Sequence, residues 1–363
     1  MYTEIVKIIE GGLKKDTKKV YGYAKLLAEK LKNDGEAKLA ETIMTIIGKG
    51  FATSVTMDEL LTTPVDHESR LDIADVFLPN EHMEQIILTK PVQQKVFDFV
   101  NTIKHKKDLR GYGLTTPSTL LLYGPPGGGK TSIAKQIALE TGLPLVIARF
   151  DAIVSSLLGN TAKNIRKIFD FADKKPCILF LDEFDAIAKA RDDQYELGEL
   201  KRVINSLLQN IDQFAEENIL IAATNHQELL DRAIWRRFNT VIEVGYPGEG
   251  EIKELLYTFT KTFKTEILSD SKQLEAAVKL LVGKSPSDVK NIVHNAIAYC
   301  IINKKKELEY ADLLNGIYQF NNHGSMNIEE LVNFMSQYGV TQSDIAARFE
   351  ISLRQIRNYL NKQ

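Results

Sequence analysis

The chain has 363 residues, room for two or three folded units at roughly 100–200 residues each. Hydrophobic residues make up 44% and charged residues 26%, which excludes general disorder, and a net charge of -2 gives no whole-chain attraction for nucleic acid. The two cysteines, Cys177 and Cys300, lie far apart with no metal-like spacing and read as reduced core thiols, which fits a reducing cytosol.

The opening residues hold no long apolar run. Neither a secretory signal nor a membrane span is expected, and the expected location is cytoplasmic. Residues 1–50 read as a helical hairpin. Val20, Tyr23, Ala24, Leu27 and Leu31 recur at helical spacing, Asn33-Asp34-Gly35 breaks the pattern, and Leu39, Ile43, Ile46 and Ile47 form a second stripe. Residues 51–70 lose periodicity, gain Thr, Ser and Pro, and read as a linker.

Residues 71–246 alternate strands with helices. The runs Leu120–Tyr123, Leu145–Ala148, Cys177–Leu181 and Ile219–Ala223 are expected to be buried parallel strands of an α/β fold flanked by crossover helices. Residues 247–322 read as helices only. A further helical tail, 327–363, follows the break at Asn321-Asn322-His323-Gly324.

The first of those runs feeds directly into Gly124-Pro125-Pro126-Gly127-Gly128-Gly129-Lys130-Thr131-Ser132, and a helix follows. This is the strand, GxxxxGK[ST], helix arrangement of a phosphate loop. Glycines let backbone N–H groups converge on phosphate oxygens, and the helix N-terminus adds its positive end. Lys130 is expected to bridge the β- and γ-phosphates, and the Thr131 hydroxyl to ligate Mg²⁺.

The run ending at Leu181 leads into Asp182-Glu183-Phe184-Asp185. Neighbouring strand residues point opposite ways, so Asp182 can face Mg²⁺ while Glu183 leans toward the γ-phosphate and acts as general base on water. The run ending at Ala223 leads into Thr224-Asn225, and Asn225 can reach the γ-phosphate or that water.

With GPPGGGKT, LFLDEFDAI, ATN and LLDRAIWRRF in that order, residues 71–320 resemble the AAA ATPase family, in its stand-alone prokaryotic form. The resemblance implies an α/β nucleotide domain with a helical lid, ATP and Mg²⁺ as cofactors, and a homo-oligomeric ring, usually a hexamer. It places Lys130 and Thr131 on Walker A, Asp182 and Glu183 on Walker B, and Asn225 on the first sensor. Arg236 and Arg237 fall on paired arginine fingers that reach the neighbouring subunit's ATP, a task suited to a planar permanent cation. Tyr112-Gly113-Leu114 and Ile86–Leu88 resemble segments that hold adenine. Gly283-Lys284-Ser285-Pro286-Ser287-Asp288-Val289 resembles the start of the sensor 2 helix, without a lid arginine. There are two departures. Gly128 stands where Thr is usual, and the pore-loop site, Leu157-Leu158-Gly159 after Ser155-Ser156, has Leu157 where protein-threading relatives carry an aromatic.

In the tail, Thr341 is expected to cap one helix and Ser352 another, with Leu353, Ile356 and Leu360 on the apolar side of the second. The pair resembles a helix-turn-helix, with Glu350 where such turns prefer Gly. Arg354, Gln355, Arg357 and Asn358 would then face DNA. Three readings of the work follow. The first is remodelling or unfolding of a protein, with delivery to a separate protease or partner chain; residues 1–50 distantly resemble the recruitment domains of such ATPases. The second is a DNA-associated ATPase anchored by the tail, and the third a nucleotide-dependent assembly switch.

Overall fold

The computed structural model describes residues 3–13, single positions and short runs between 23 and 42, and then 73–79, 86–114, 117–149, 158–185, 197–215 and 218–361. The expected linker at 51–70, the stripe residues Ile43, Ile46 and Ile47, and Ser155, Ser156 and Leu157 lie outside the described residues.

Six strands form one sheet: β1 (Ala74–Phe77), β2 (Ser118–Tyr123), β3 (Leu145–Ala148), β4 (Ile178–Leu181), β5 (Ile219–Thr224) and β6 (Thr240–Glu243). Their spatial order is β1-β3-β4-β5-β2-β6, and every pairing is parallel except that of β1 with β3. The four expected strands are present. The edge strands β1 and β6 complete the sheet.

Side chains alternate across this sheet and are buried on both faces, the pattern that makes parallel strands read as unbroken apolar runs. Leu121, Leu179, Leu181, Leu220 and Ala222 pack on one face with Ile165 and Ile168 of α5 (Leu158–Asp173) and Leu207 and Ile211 of α6 (Leu197–Ala215). Leu120, Leu122, Phe180, Ile221 and Ala223 pack on the other with Val96 and Val100 of α2 (Lys90–Lys104) and Ile133 and Ile137 of α4 (Lys130–Thr141). The result is a helix–sheet–helix sandwich.

Ahead of the sheet lies α1 (Thr3–Leu13), whose Ile8 packs with Leu27 and Leu31 while Glu4 accepts from Lys30 Nζ at 2.6 Å. Short α3 (Lys106–Gly111) follows α2, and the one-turn α7 (Arg232–Trp235) precedes β6.

Beyond β6 come α8 (Glu249–Thr260), α9 (Ser271–Leu281), α10 (Pro286–Ile302) and α11 (Tyr310–Asn321), then α12 (Ile328–Gln337), α13 (Gln342–Phe349) and α14 (Leu353–Leu360). Leu331, Met335, Ile345 and Ile356 of the last three join Ile292, Leu313 and Ile317 in one continuous apolar cluster. A buried polar knot joins them too. Asp312 on α11 is fully buried and accepts from Lys305 Nζ at 3.0 and 3.1 Å, while Arg348 on α13 donates to both Asp312 and Glu309. Thr341 and Ser352 cap their helices as expected, and Glu350 adopts the left-handed conformation of the turn, φ 53°.

Two features of α14 differ from expectation. Leu353 is 44% exposed, because the short helix turns only Ile356 fully into the core. Gln355 is held locally: its side-chain oxygen accepts from Ser352 N–H and the Ser352 hydroxyl at 3.0 and 3.1 Å, a capping box. Arg354, Arg357 and Asn358 are exposed.

Candidate active site

Strands β4, β5 and β2 are neighbours, and their carboxyl ends stand in register: Leu181 is opposite Ala222, and Tyr123 is opposite Thr224. Parallel α/β sheets place their sites in the crevice beyond such ends. Here the three ends deliver Asp182, Asn225 and the Gly124 loop to one place.

The loop leaves β2 with Gly124 N–H donating to Thr224 O at 3.3 Å and closes into α4, where Ile133 N–H donates to Gly129 O at 2.8 Å. Gly124 is required by its neighbour on the sheet, since a Cβ there would lie 2.2 Å from Val244 O. Gly127 is required by the start of α10, in the helices beyond β6 that form the lid. A Cβ there would lie 2.5 Å from Ser285 Oγ, and Gly127 O accepts from Ser287 N–H at 3.3 Å. At Gly128 a Cβ would come within 3.2 Å of Pro125 O and 3.3 Å of Val244 O, so the small residue matches a tight loop.

Lys130 is 7% exposed, and its Nζ donates to Gly124 O at 2.8 Å and Pro125 O at 2.9 Å across the loop mouth. Burial pulls its ammonium below the ordinary lysine value, against opposing pulls from Asp182 and Asp185. A desolvated cation held by two loop carbonyls at the N-terminus of α4 fits a polyphosphate, whose oxygens are stronger acceptors than carbonyls.

Thr131 Oγ1 donates to Asp182 Oδ2 at 2.8 Å, and Asp182 Oδ1 accepts from Glu183 N–H at 3.0 Å. One carboxylate beside one hydroxyl is a hard-oxygen pair that fits Mg²⁺, which takes its other ligands from phosphate and water. Among the described residues no group of three His, Cys, Asp or Glu could hold a metal by itself.

Glu183 corrects the sequence argument. Strand β4 ends at Leu181, and Asp182–Asp185 form a turn in which Glu183 has φ 51°. Strand alternation therefore does not apply to Asp182 and Glu183, which lie in a turn beyond the strand. A left-handed conformation costs a non-glycine residue about 1–3 kcal/mol and persists where the surroundings hold it. Phe184 N–H donates to Ala223 O at 2.9 Å, and the Phe184 ring packs edge-on against Phe238, centroids 6.3 Å apart.

Asp185 was quoted in the motif without a role, and the structure supplies one. It is 2% exposed, and its Oδ1 accepts from the Thr224 hydroxyl at 3.0 Å and Asn225 N–H at 3.3 Å. It thereby ties the Glu183 turn to the Asn225 loop.

The two arginines differ. Arg236 is exposed, and its side chain has no hydrogen-bond or ion-pair partner among the described residues. Arg237 is held within its own chain by Asp212 on α6 and by Ala233 O.

Pro125 and Pro126 line the loop between Gly124 and Gly127, and Ser132 lies half-buried in the first turn of α4. Ile87 packs on the lid cluster and Leu88 on the sheet cluster, so Ile86–Leu88 runs along the junction of the two. Gly113 is exposed with φ 77°, its N–H bonded locally to Arg110 O at 3.0 Å. Leu158 and Gly159 begin α5; their side-chain surroundings, like Leu157, lie outside the described residues.

Residues 120–246 match the profile of the ATPase family associated with various cellular activities (AAA). The chain is 38% identical over 245 residues to an AAA family ATPase, y4kL, of Sinorhizobium fredii, covering 68% of this chain and 73% of that protein. It is 34% identical to a proteasome-activating nucleotidase of Saccharolobus islandicus over 60% of this chain and 57% of that one. It is also 34% identical to the ATP-dependent zinc metalloprotease FtsH 3 of Symbiobacterium thermophilum, over 62% and 37%. The chain thus spans less than two thirds of the last two proteins. The crystal structure of the FIGL-1 AAA domain in complex with ADP shares the fold, with a TM-score of 0.58 at 19% identity over 74% of this chain and 94% of that one.

Proposed function

Because the chain belongs to the AAA family of ATPases and hydrolyses ATP, we propose that it is a Mg²⁺-dependent ring motor, hexameric in form, that remodels or unfolds a protein. Mg²⁺ supplies charge neutralisation on the phosphate oxygens. Lys130 and the loop N–H groups hold the β- and γ-phosphates, and Thr131 with Asp182 positions the metal. Glu183 takes the proton from the attacking water, and Asn225 orients that water. Arg236 and Arg237 are the pair assigned to the neighbouring subunit's ATP, and Gly113 lies in the segment assigned to adenine.

The observation that carries the ring reading is Arg236, an exposed guanidinium without an acidic partner among the described residues of its own chain. A cation so placed is available to another subunit. The protein-directed reading is supported by likeness to the nucleotidase and the metalloprotease, whose names tie them to a proteasome and to proteolysis. The stretch Leu157-Leu158-Gly159 is the expected grip on the substrate, and any protease would be a separate partner.

The DNA reading loses ground to the structure. Arg348 is spent inside the polar knot, and Gln355 in its capping box. Arg354 and Arg357 remain as the exposed cations of α12–α14, against Glu329, Glu330, Asp344 and Glu350. The assembly-switch reading is opposed by Glu183, which a switch without hydrolysis has no use for.

The test uses three variants. Glu183→Gln should lose about 10²–10⁴-fold in kcat while still binding ATP, since the groups that bind remain and the base is gone. Lys130→Ala and Arg236→Ala, each inactive alone, should regain partial turnover when mixed, because one interface then pairs an intact site with an intact arginine. Wild-type turnover by Glu183→Gln, or no regain on mixing, would defeat the assignment. A protein substrate that stimulates turnover, with duplex DNA inert, separates the first reading from the second.

A further inference from the structure

Helix α7 and the turn after it carry the two arginines, yet the segment has little rigidity of its own. The helix is four residues, a single turn, too short to be stable unaided. Asp231 caps it by accepting from Ala233 N–H at 3.0 Å, and Ile234 and Phe238 are buried on either side of the arginines. The Arg236 side chain has no partner among the described residues, so its place is inherited from its neighbours in the chain.

The neighbour before it is Trp235, the single tryptophan of the sequence. Its half-buried ring packs against the sheet cluster and meets the Tyr123 ring edge to face, centroids 5.6 Å apart at 72°. Tyr123 is a firm seat. It ends β2 opposite Thr224 on one side and Glu243 on the other, its carbonyl accepts from Val244 N–H at 2.7 Å, and its hydroxyl donates to Glu243 at 3.3 Å. It is also the residue before Gly124, where the phosphate loop begins. One ring contact thus joins the start of the loop to the residue before the arginine pair.

We propose that Trp235 is a positioning residue for the neighbouring subunit's reaction. Seated on Tyr123, it fixes the direction in which Arg236 and Arg237 are offered, and it does so relative to its own subunit's phosphate loop. This inference rests on the ring reading above.

The experiment measures kcat and KM for ATP in full-length Trp235→Leu, Trp235→Phe and Tyr123→Leu. Trp235→Leu and Tyr123→Leu should each lose about 10- to 100-fold in kcat, the scale of a small misplacement, with KM unchanged. Trp235→Phe keeps a ring on Tyr123 and should stay within about 5-fold of wild type. A fluorescent ATP analogue should bind all three at wild-type affinity; lost binding in Trp235→Leu would make the ring a support for its own site and overturn the proposal. Trp235 emission reads the contact directly. Tyr123→Leu should shift it, and identical spectra would show that the rings do not meet in solution.

Mixing subunits separates positioning from ordinary structural support. Trp235→Leu mixed with Lys130→Ala should turn over faster than the average of the two, because Lys130→Ala subunits offer well-seated arginines to an intact site. Mixed with Arg236→Ala it should give no more than the average, because neither subunit offers them. If Trp235 only supports its own phosphate loop, the pattern inverts: gain with Arg236→Ala and none with Lys130→Ala. That inversion, or a wild-type rate in Trp235→Leu, overturns the proposal and leaves the ring reading intact. Failure of Lys130→Ala and Arg236→Ala to restore each other would instead sink the ring reading, and this proposal with it.

Discussion

Gly127→Ala tests whether the phosphate loop and the lid are one contact surface. Two contributions can be worked from the geometry. The residue has φ 73°, where an alanine is less favourable than glycine by about 1–2 kcal/mol. Its new methyl group would also lie 2.5 Å from Ser285 Oγ, well inside van der Waals distance. Ser285 is the N-cap of α10, accepting from Asp288 N–H at 3.2 Å, and turning its side chain away forfeits a cap of about 1 kcal/mol. The expected destabilisation is therefore about 2–3 kcal/mol.

Urea unfolding monitored by circular dichroism gives the total, and a second substitution divides it. Ser285→Gly removes the obstructing hydroxyl at a cap cost of only a few tenths of a kcal/mol. The Gly127→Ala/Ser285→Gly variant should recover about 1 kcal/mol relative to the sum of the singles, while the backbone contribution stays. Strict additivity, or a Gly127→Ala protein as stable as wild type, would refute the contact between loop and lid.

Three further predictions follow the same logic. Asp185→Ala leaves the buried Thr224 hydroxyl and the Asn225 N–H without their acceptor and should cost about 2–5 kcal/mol in urea unfolding, whereas Asp185→Asn, which keeps an oxygen, should cost less than half as much. Equal losses would show that the acceptor is not what matters. Arg348→Ala strips one cation from the fully buried Asp312 and should cost about 3–5 kcal/mol by the same assay, and a loss under about 1 kcal/mol would mean the knot is not closed in solution. Lys130 has its folded-state pKa held below the unfolded one, so between those values the unfolded chain binds more protons and stability rises with pH. That rise should vanish in Lys130→Met when urea midpoints are followed from neutral pH toward 10.5, the ordinary lysine value; parallel profiles would contradict the burial of the ammonium.

Much of the nucleotide site was legible because its signals are local. A glycine loop following an apolar strand needs no distant partner to be recognised, and Thr341 and Ser352 announced their helices by cap chemistry alone. The central strands were legible because burial on both faces leaves an unbroken apolar run. Edge strands β1 and β6 lack that signature: each is four residues with a half-buried, mixed pattern, and nothing distinguishes ADVF or TVIE from a loop. The turn at Glu183 was not legible, since a positive φ at a glutamate cannot be seen in the residue type. Asp185, Asp212 and Arg348 share another difficulty. A charged residue ordinarily reads as solvated, and what buries or engages each of these three lies 25 to 40 residues away in the chain.

Phe184 and Phe238 have a consequence for timing. One ring follows Glu183, proposed to act on the subunit's own nucleotide, and the other follows Arg237, beside the exposed Arg236; the two rings meet edge to face, centroids 6.3 Å apart. On the ring reading, a shift of the glutamate turn would press on the stretch of chain proposed to serve the adjoining subunit. Neighbouring cycles would then be geared, each turnover setting the readiness of the next, and the gearing would need no messenger beyond two aromatic side chains.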